Sequence, residues 1–133
     1  MNIKYTTSEV LVLYNNLDKF CKKDIKLPMK LAWVIEDNSD AMKEVVSKFE
    51  KFKANEYGKL VAAGAFEPAE EPGMSKIKPE FEDSLNESNR KLEALLNIDN
   101  EINIKFIKRD EVPEELTMSD LRALKFMIET EEV

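Results

Sequence analysis

Met1-Asn2-Ile3-Lys4-Tyr5 alternates apolar and polar positions, the period of a strand with one covered face. The period then changes. Thr6 followed by Glu9 forms a capping box, and Val10, Leu13, Leu17 and Phe20 recur at helical spacing, which predicts a helix from about Thr7 to Cys21. Tyr5 and Val10 flank the cap as a hydrophobic staple, and Lys22 and Lys23 sit where the helix dipole favours cations.

Pro28 is suited to open a second helix, because the first turn needs no amide donor there. Leu31, Ile35, Met42, Val45, Phe49, Phe52 and Leu60 follow; with Asn38 and Glu56 filling the gaps, they make a heptad seam. Asp37-Asn38-Ser39-Asp40 is a poor helix interior. The seam nevertheless keeps its phase across it, which favours one long helix over two. Residues 64–79 hold three prolines, two glycines and the acids Glu67, Glu70 and Glu71, and predict a loop or hairpin tip.

A third helix is expected from about Pro79 to Asn97, with Phe81, Leu85, Leu92 and Leu95 on one face and Ser88 interrupting the stripe. Folded back on the second half of the long helix, it places Glu56 opposite the Leu85–Ser88 turn. Between Glu101 and Lys108 the period returns to two, with Ile102, Ile104 and Phe106 on one side. That strand needs a partner, and the N-terminal strand is the good candidate. Thr117 and Asp120 form a second capping box, Leu116 and Leu121 a second staple, and Leu121, Leu124 and Ile128 a short last helix. The expected fold is mainly α (α+β): a long antiparallel helical hairpin packed by the N- and C-terminal helices, with a two-stranded sheet made by the N-terminal strand and residues 101–108. One domain over residues 1–133 is expected, with its tip at 63–79.

Composition narrows the chemistry. The chain has 133 residues, no histidine, one cysteine, three glycines and a net charge of −7. Without histidine, Ser-His-Asp and Cys-His nucleophile systems and the usual zinc-hydroxide sites have no base or ligand. The glycines form no phosphate-cradling loop, and lone Cys21 gives neither a disulfide framework nor a thiolate zinc site. Carboxylate chemistry, alone or through Mg²⁺, is what survives, but no acidic cluster has a recognised ligand spacing. No enzyme and no cofactor or metal site is expected. No apolar run approaches the ~20 residues of a membrane span, and Met1–Ser8 lacks the basic start and apolar stretch of a secretion signal. A cytoplasmic protein is expected.

Individual residues allow two readings each. Trp33 lies beside the seam, the position of a partly buried core residue, yet tryptophan is also enriched at binding hot spots. Cys21 reads as a small apolar residue and the dispersed methionines as core filler. Lys22, Lys23 and Lys26 form the best basic cluster, but the charge is negative overall and no aromatics interleave, so nucleic acid is not an expected partner. The acids Glu67-Glu70-Glu71, Glu80-Glu82-Asp83, Glu111-Glu114-Glu115 and Glu129-Glu131-Glu132 read as solvated surface, or as an imitation of a phosphate backbone. The seam continues N-terminal to what the third helix can cover, so Leu31, Trp33, Ile35 and Met42 need partners from the end helices or from another chain.

Lys26-Leu27-Pro28-Met29-Lys30-Leu31 opening a long charged helix and the acidic tip, Glu101-Ile102-Asn103-Ile104-Lys105, and Leu116-Thr117-Met118-Ser119-Asp120-Leu121 through Met127-Ile128-Glu129 give the chain its likeness. It resembles a diffuse group of small proteins encoded by phages and prophages of low-GC bacteria. The resemblance carries no catalytic residue; it implies a phage setting, with virion assembly or action on host machinery as the roles. The expected function is a non-catalytic interaction module with a protein partner or a second copy, through Leu31, Trp33, Ile35, Met42 and the acids Glu67, Glu70 and Glu71. The alternative is an acidic inhibitor of a nucleic-acid-binding enzyme. No small-molecule substrate is evident.

Overall fold

A computed structural model describes residues 1–129 and shows a mainly α (α+β) chain that divides into two compact units. The first is Met1–Val46 with the chain from Asp99 onward, and the second is Ser47–Ile98.

In the first unit, β1 (Asn2–Thr6) leads directly into α1 (Thr7–Cys21). The Thr6–Glu9 capping box closes as expected: Glu9 N–H donates to Thr6 Oγ1 at 3.2 Å, and Thr6 N–H donates to Glu9 Oε1 at 2.9 Å. α2 (Met29–Ala62) starts one residue after Pro28, whose carbonyl accepts the first helical bond from Ala32. The helix runs unbroken through Asp37–Asp40. Two of its poor helix formers are engaged elsewhere, Asn38 by the Lys105 backbone and Asp37 by the Lys105 ammonium.

The expected strand at 101–108 is shorter and earlier. Its paired part is β4 (Asp99–Asn103), antiparallel to β1 with Ile3 opposite Ile102 and Lys4 opposite Glu101. Beyond Asn103 the backbone stays hydrogen-bonded, but to scattered partners instead of a neighbouring strand: Ile104 N–H to Met1 carbonyl, Ile107 N–H to Met127 carbonyl. The terminal helix is also shorter than expected. α4 (Met118–Leu124) tightens into a 3-10 turn at Lys125–Met127, and Ile128 leaves the helix to form a parallel bridge with Ile107.

The core of this unit collects Val10, Leu17 and Phe20 from α1 and Leu31, Val34, Ile35 and Met42 from α2. Ile102, Ile104 and Ile107 join from β4 and the chain after it, with Leu116, Leu124 and Met127 from the end. Each fully buried aliphatic side chain stabilises by roughly 1.5–3 kcal/mol, which makes this cluster the main reason the unit holds together.

In the second unit, the remainder of α2 faces α3 (Glu82–Leu96), which a 3-10 turn at Pro79–Phe81 opens. The antiparallel register is fixed by Ser88 Oγ donating to Glu56 Oε2 at 3.1 Å and Tyr57 Oη donating to Asn89 Oδ1 at 2.8 Å. Burial pushes the Glu56 carboxyl up, but the Ser88 hydroxyl with Lys59 and Lys91 more than reverses this and leaves it below its usual value. Phe49, Leu60 and Leu92 are buried, whereas Phe52 is exposed. Phe52 departs from the seam because, at about 100° per residue, it lies roughly 60° off the line through Phe49, while Leu60 lies only about 20° off.

The segment expected as loop folds further than its composition suggested. α2 ends in a Schellman motif, with Gly64 at φ 74°, Gly64 N–H bonded to Val61 and Ala65 N–H to Leu60. The short strands β2 (Phe66–Pro68) and β3 (Ser75–Ile77) then pair antiparallel. Between them Glu71-Pro72-Gly73-Met74 makes a turn, with Gly73 at φ 81° and Met74 N–H bonded to Glu71.

Candidate interaction surfaces

The C-terminal part of the first unit is held at three points, and the space it frames is open. Glu111 closes a single 3-10 turn (Arg109–Glu111), accepting from Lys108 N–H at 3.0 Å. The same carboxylate pairs with Lys30 Nζ at 2.6 Å, which ties the turn to the start of α2. The Lys30 hydrogen bond and the Lys108 amide hold the Glu111 carboxyl below its usual range, and Glu111 in return holds the Lys30 ammonium above its own.

α4 is capped by Thr117, whose Oγ1 accepts from Asp120 N–H at 3.2 Å while Asp120 Oδ2 accepts from Thr117 N–H at 3.1 Å. Lys23 at the end of α1 donates to the other Asp120 oxygen. With its side chain only 4% exposed, Asp120 has its carboxyl lowered by the Lys23 bond first; burial opposes this and the Thr117 amide adds to it. The third hold is the bridge at Ile107 and Ile128.

Between these holds lies a groove of about 800 Å³. Val112, Pro113, Met118, Leu121 and Ile128 supply its apolar surface. Arg109, Arg122 and Lys125 stand along it with Glu114 and Glu129. All three cations are exposed, and none has an ion-pair partner among the described residues. In a chain of net charge −7 with three arginines, two of them face one apolar-floored groove. A smaller cleft of about 220 Å³ lies between α1 and α4 around the Lys23–Asp120 pair.

The outward face of α2 forms the second surface. Met29 is 84% exposed and Trp33 68%. Glu36, Asp40 and Glu44 are exposed too and make no ion pair among the described residues.

The expected site residues separate. Leu31, Ile35 and Met42 are 1%, 3% and 0% exposed, so they are core and not docking residues. The correction has a simple cause: residues 102–107 and the terminal segment 116–127 lie in the same buried cluster and cover them within the chain. Trp33 departs from its core reading in the opposite direction, since it points away from that cluster. Glu67 pairs with Lys76 across β2 and β3 at 3.7 Å, while Glu70 and Glu71 are exposed near the turn. They belong to the second unit and Trp33 to the first. Of the basic cluster, Lys22 pairs with Asp18 and Lys23 with Asp120, leaving Lys26 exposed. Burial and the carboxylates of Asp18 and Glu36 push the Cys21 thiol up, the direction of an unreactive thiol. Of the last acidic run, Glu131 and Glu132 lie outside the described residues.

Among the described residues no group of three or more His, Cys, Asp or Glu side chains is placed to hold a metal ion, and no helix is long and apolar enough to cross a membrane. No family profile, curated protein or solved structure matches the chain.

Proposed function

We propose that this chain is a non-catalytic, cytoplasmic protein-interaction module of the phage type, serving virion assembly or an accessory role, and that it works through the groove at residues 109–129. The observation that carries the reading is the pairing of an apolar floor with three exposed cations that form no ion pair among the described residues. Arginine and large apolar side chains around a concave surface are the composition from which binding hot spots are built. The resemblance to small phage and prophage proteins supports the setting. Charge mimicry by the acidic runs has less behind it, because Glu67 and Glu111 are engaged by Lys76 and Lys30.

Affinity capture from lysate of bacteria that also carry an untagged copy of the chain tests the reading, using the tagged wild-type chain beside an Arg122→Glu/Lys125→Glu variant. Both side chains are exposed, so the exchange should leave stability within about 0.5 kcal/mol. The wild-type chain should retain a protein that the variant loses, with retention weakened but not abolished by salt, since screening acts on the rim and not on the floor. Undiminished capture by the variant contradicts the proposal.

A further inference from the structure

The two exposed surfaces of the first unit are complementary in charge and alike in apolar content. Met29, Trp33, Glu36, Asp40 and Glu44 fall within an arc of roughly 80° on α2, opposite the core positions Leu31, Ile35 and Met42. This stripe is a pair of large apolar side chains followed by three exposed carboxylates without ion pairs among the described residues. The groove is an apolar floor bordered by Arg109, Arg122 and Lys125, also without ion pairs among the described residues, with Glu114 and Glu129 lining it beside them.

We propose that the occupant of the groove is the outward face of α2 from a second copy of this chain, with Met29 and Trp33 seated on the apolar floor and Glu36, Asp40 and Glu44 meeting Arg109, Arg122 and Lys125. The proposal rests on reading the groove as an interaction surface and goes further by naming what fills it. Within one copy both surfaces are exposed, so the contact is made between copies. A reciprocal two-fold arrangement uses the stripe and the groove of each copy once and closes as a dimer, without an open end from which a filament would grow. A net-negative chain repels its own copies at long range, so a self-contact needs local cations; Arg109, Arg122 and Lys125, which outnumber the Glu114 and Glu129 lining the same groove, supply them.

Sedimentation of the full chain from ~1 μM to ~1 mM, at low and high salt, reads the association directly. Trp33, the only tryptophan, provides a second readout, because its emission should shift to the blue as it leaves water. The expected result is a concentration-dependent dimer, weakened at least ~10-fold between low and high salt and accompanied by the Trp33 shift. Arg122→Glu/Lys125→Glu alone and Glu36→Lys/Asp40→Lys alone should each sediment as monomers. Mixing the two variants should restore the dimer, since each then offers a stripe and a groove matched to the other. A wild-type chain that stays monomeric throughout overturns the self-contact; if groove-dependent capture from lysate persists, the interaction reading stands with a different occupant. A dimer indifferent to both charge exchanges also overturns it.

Discussion

The side chain of Asn38, in the middle of α2, is fully buried and forms a closed pair with the backbone of Lys105: Nδ2 donates to the Lys105 carbonyl at 2.9 Å and Oδ1 accepts from its N–H at 2.8 Å. Asn38 thereby does for the chain beyond β4 what a neighbouring strand would do. The same pairing explains the continuity of α2, because an asparagine bonded elsewhere no longer competes for its own helix backbone.

Asn38→Ala should therefore lower stability by about 1–3 kcal/mol, by removing both hydrogen bonds to the part-buried N–H and C=O of Lys105. Asp37 one residue earlier also reaches Lys105, through an ion pair at 2.6 Å, but its partner's side chain is 55% exposed. Asp37→Ala should cost under about 1 kcal/mol. Urea denaturation of the two variants checks the contrast, and equal losses would sink the argument.

The acid side of the stability profile should carry the signature of Asp120. Its carboxyl titrates below the usual value when folded, so its contribution is present above the unfolded value near ~3.9 and lost as pH falls through the folded one. The stability gap between wild type and Asp120→Asn should be constant near neutrality and shrink on acidification. A gap that widens as pH falls would contradict the Lys23–Asp120 assignment.

Continuity of α2 also predicts a severe effect of proline at Val45. Loss of a helical bond and the clash with the preceding turn cost about 3 kcal/mol or more, a large share of the ~5–15 kcal/mol that holds an ordinary domain folded. A cooperative, near-wild-type melt by circular dichroism would show that the helix breaks there.

Two glycines should respond with opposite signs to alanine. Gly58 lies inside α2 with nothing within 4 Å of an added Cβ, so Gly58→Ala should stabilise by roughly 0.5–1 kcal/mol. Gly64 has the same free space but a φ of 74°, so Gly64→Ala should destabilise by about 1–2 kcal/mol through backbone strain alone. Thermal melts of the pair test the sign.

How far the sequence reveals this fold depends on how local each signal is. Both capping boxes, at Thr6–Glu9 and Thr117–Asp120, are four-residue signals and form as read. The seam kept its phase through Asn38, and Glu56 meets Ser88 as the hairpin register requires. Strands of three residues, as in β2 and β3, are too short to show a period among prolines and glycines. The alternation at 101–108 marked a covered face correctly at Ile102 and Ile104, but it fails after them, because Ile107 is buried and Phe106 only half-buried; nor can alternation say whether a strand or an Asn38 side chain supplies the partner. The groove was hidden for a related reason. Arg109 stands far along the chain from Arg122 and Lys125, and the Ile107–Ile128 bridge, absent from any local pattern, brings their segments together. The i, i+3 spacing of Arg122 on α4 and Lys125 at the 3-10 turn that follows it was the one available cue.

Site-specific photo-crosslinking in the cell tests the interaction account most directly. A photoreactive residue at Met118, which lines the groove and is exposed, is compared with one at Met74, also exposed, on the β2–β3 turn. The account predicts a discrete adduct from position 118 that disappears with Arg122→Glu/Lys125→Glu, and none of that mass from position 74. No adduct at 118, or the same adduct from both positions, would contradict it.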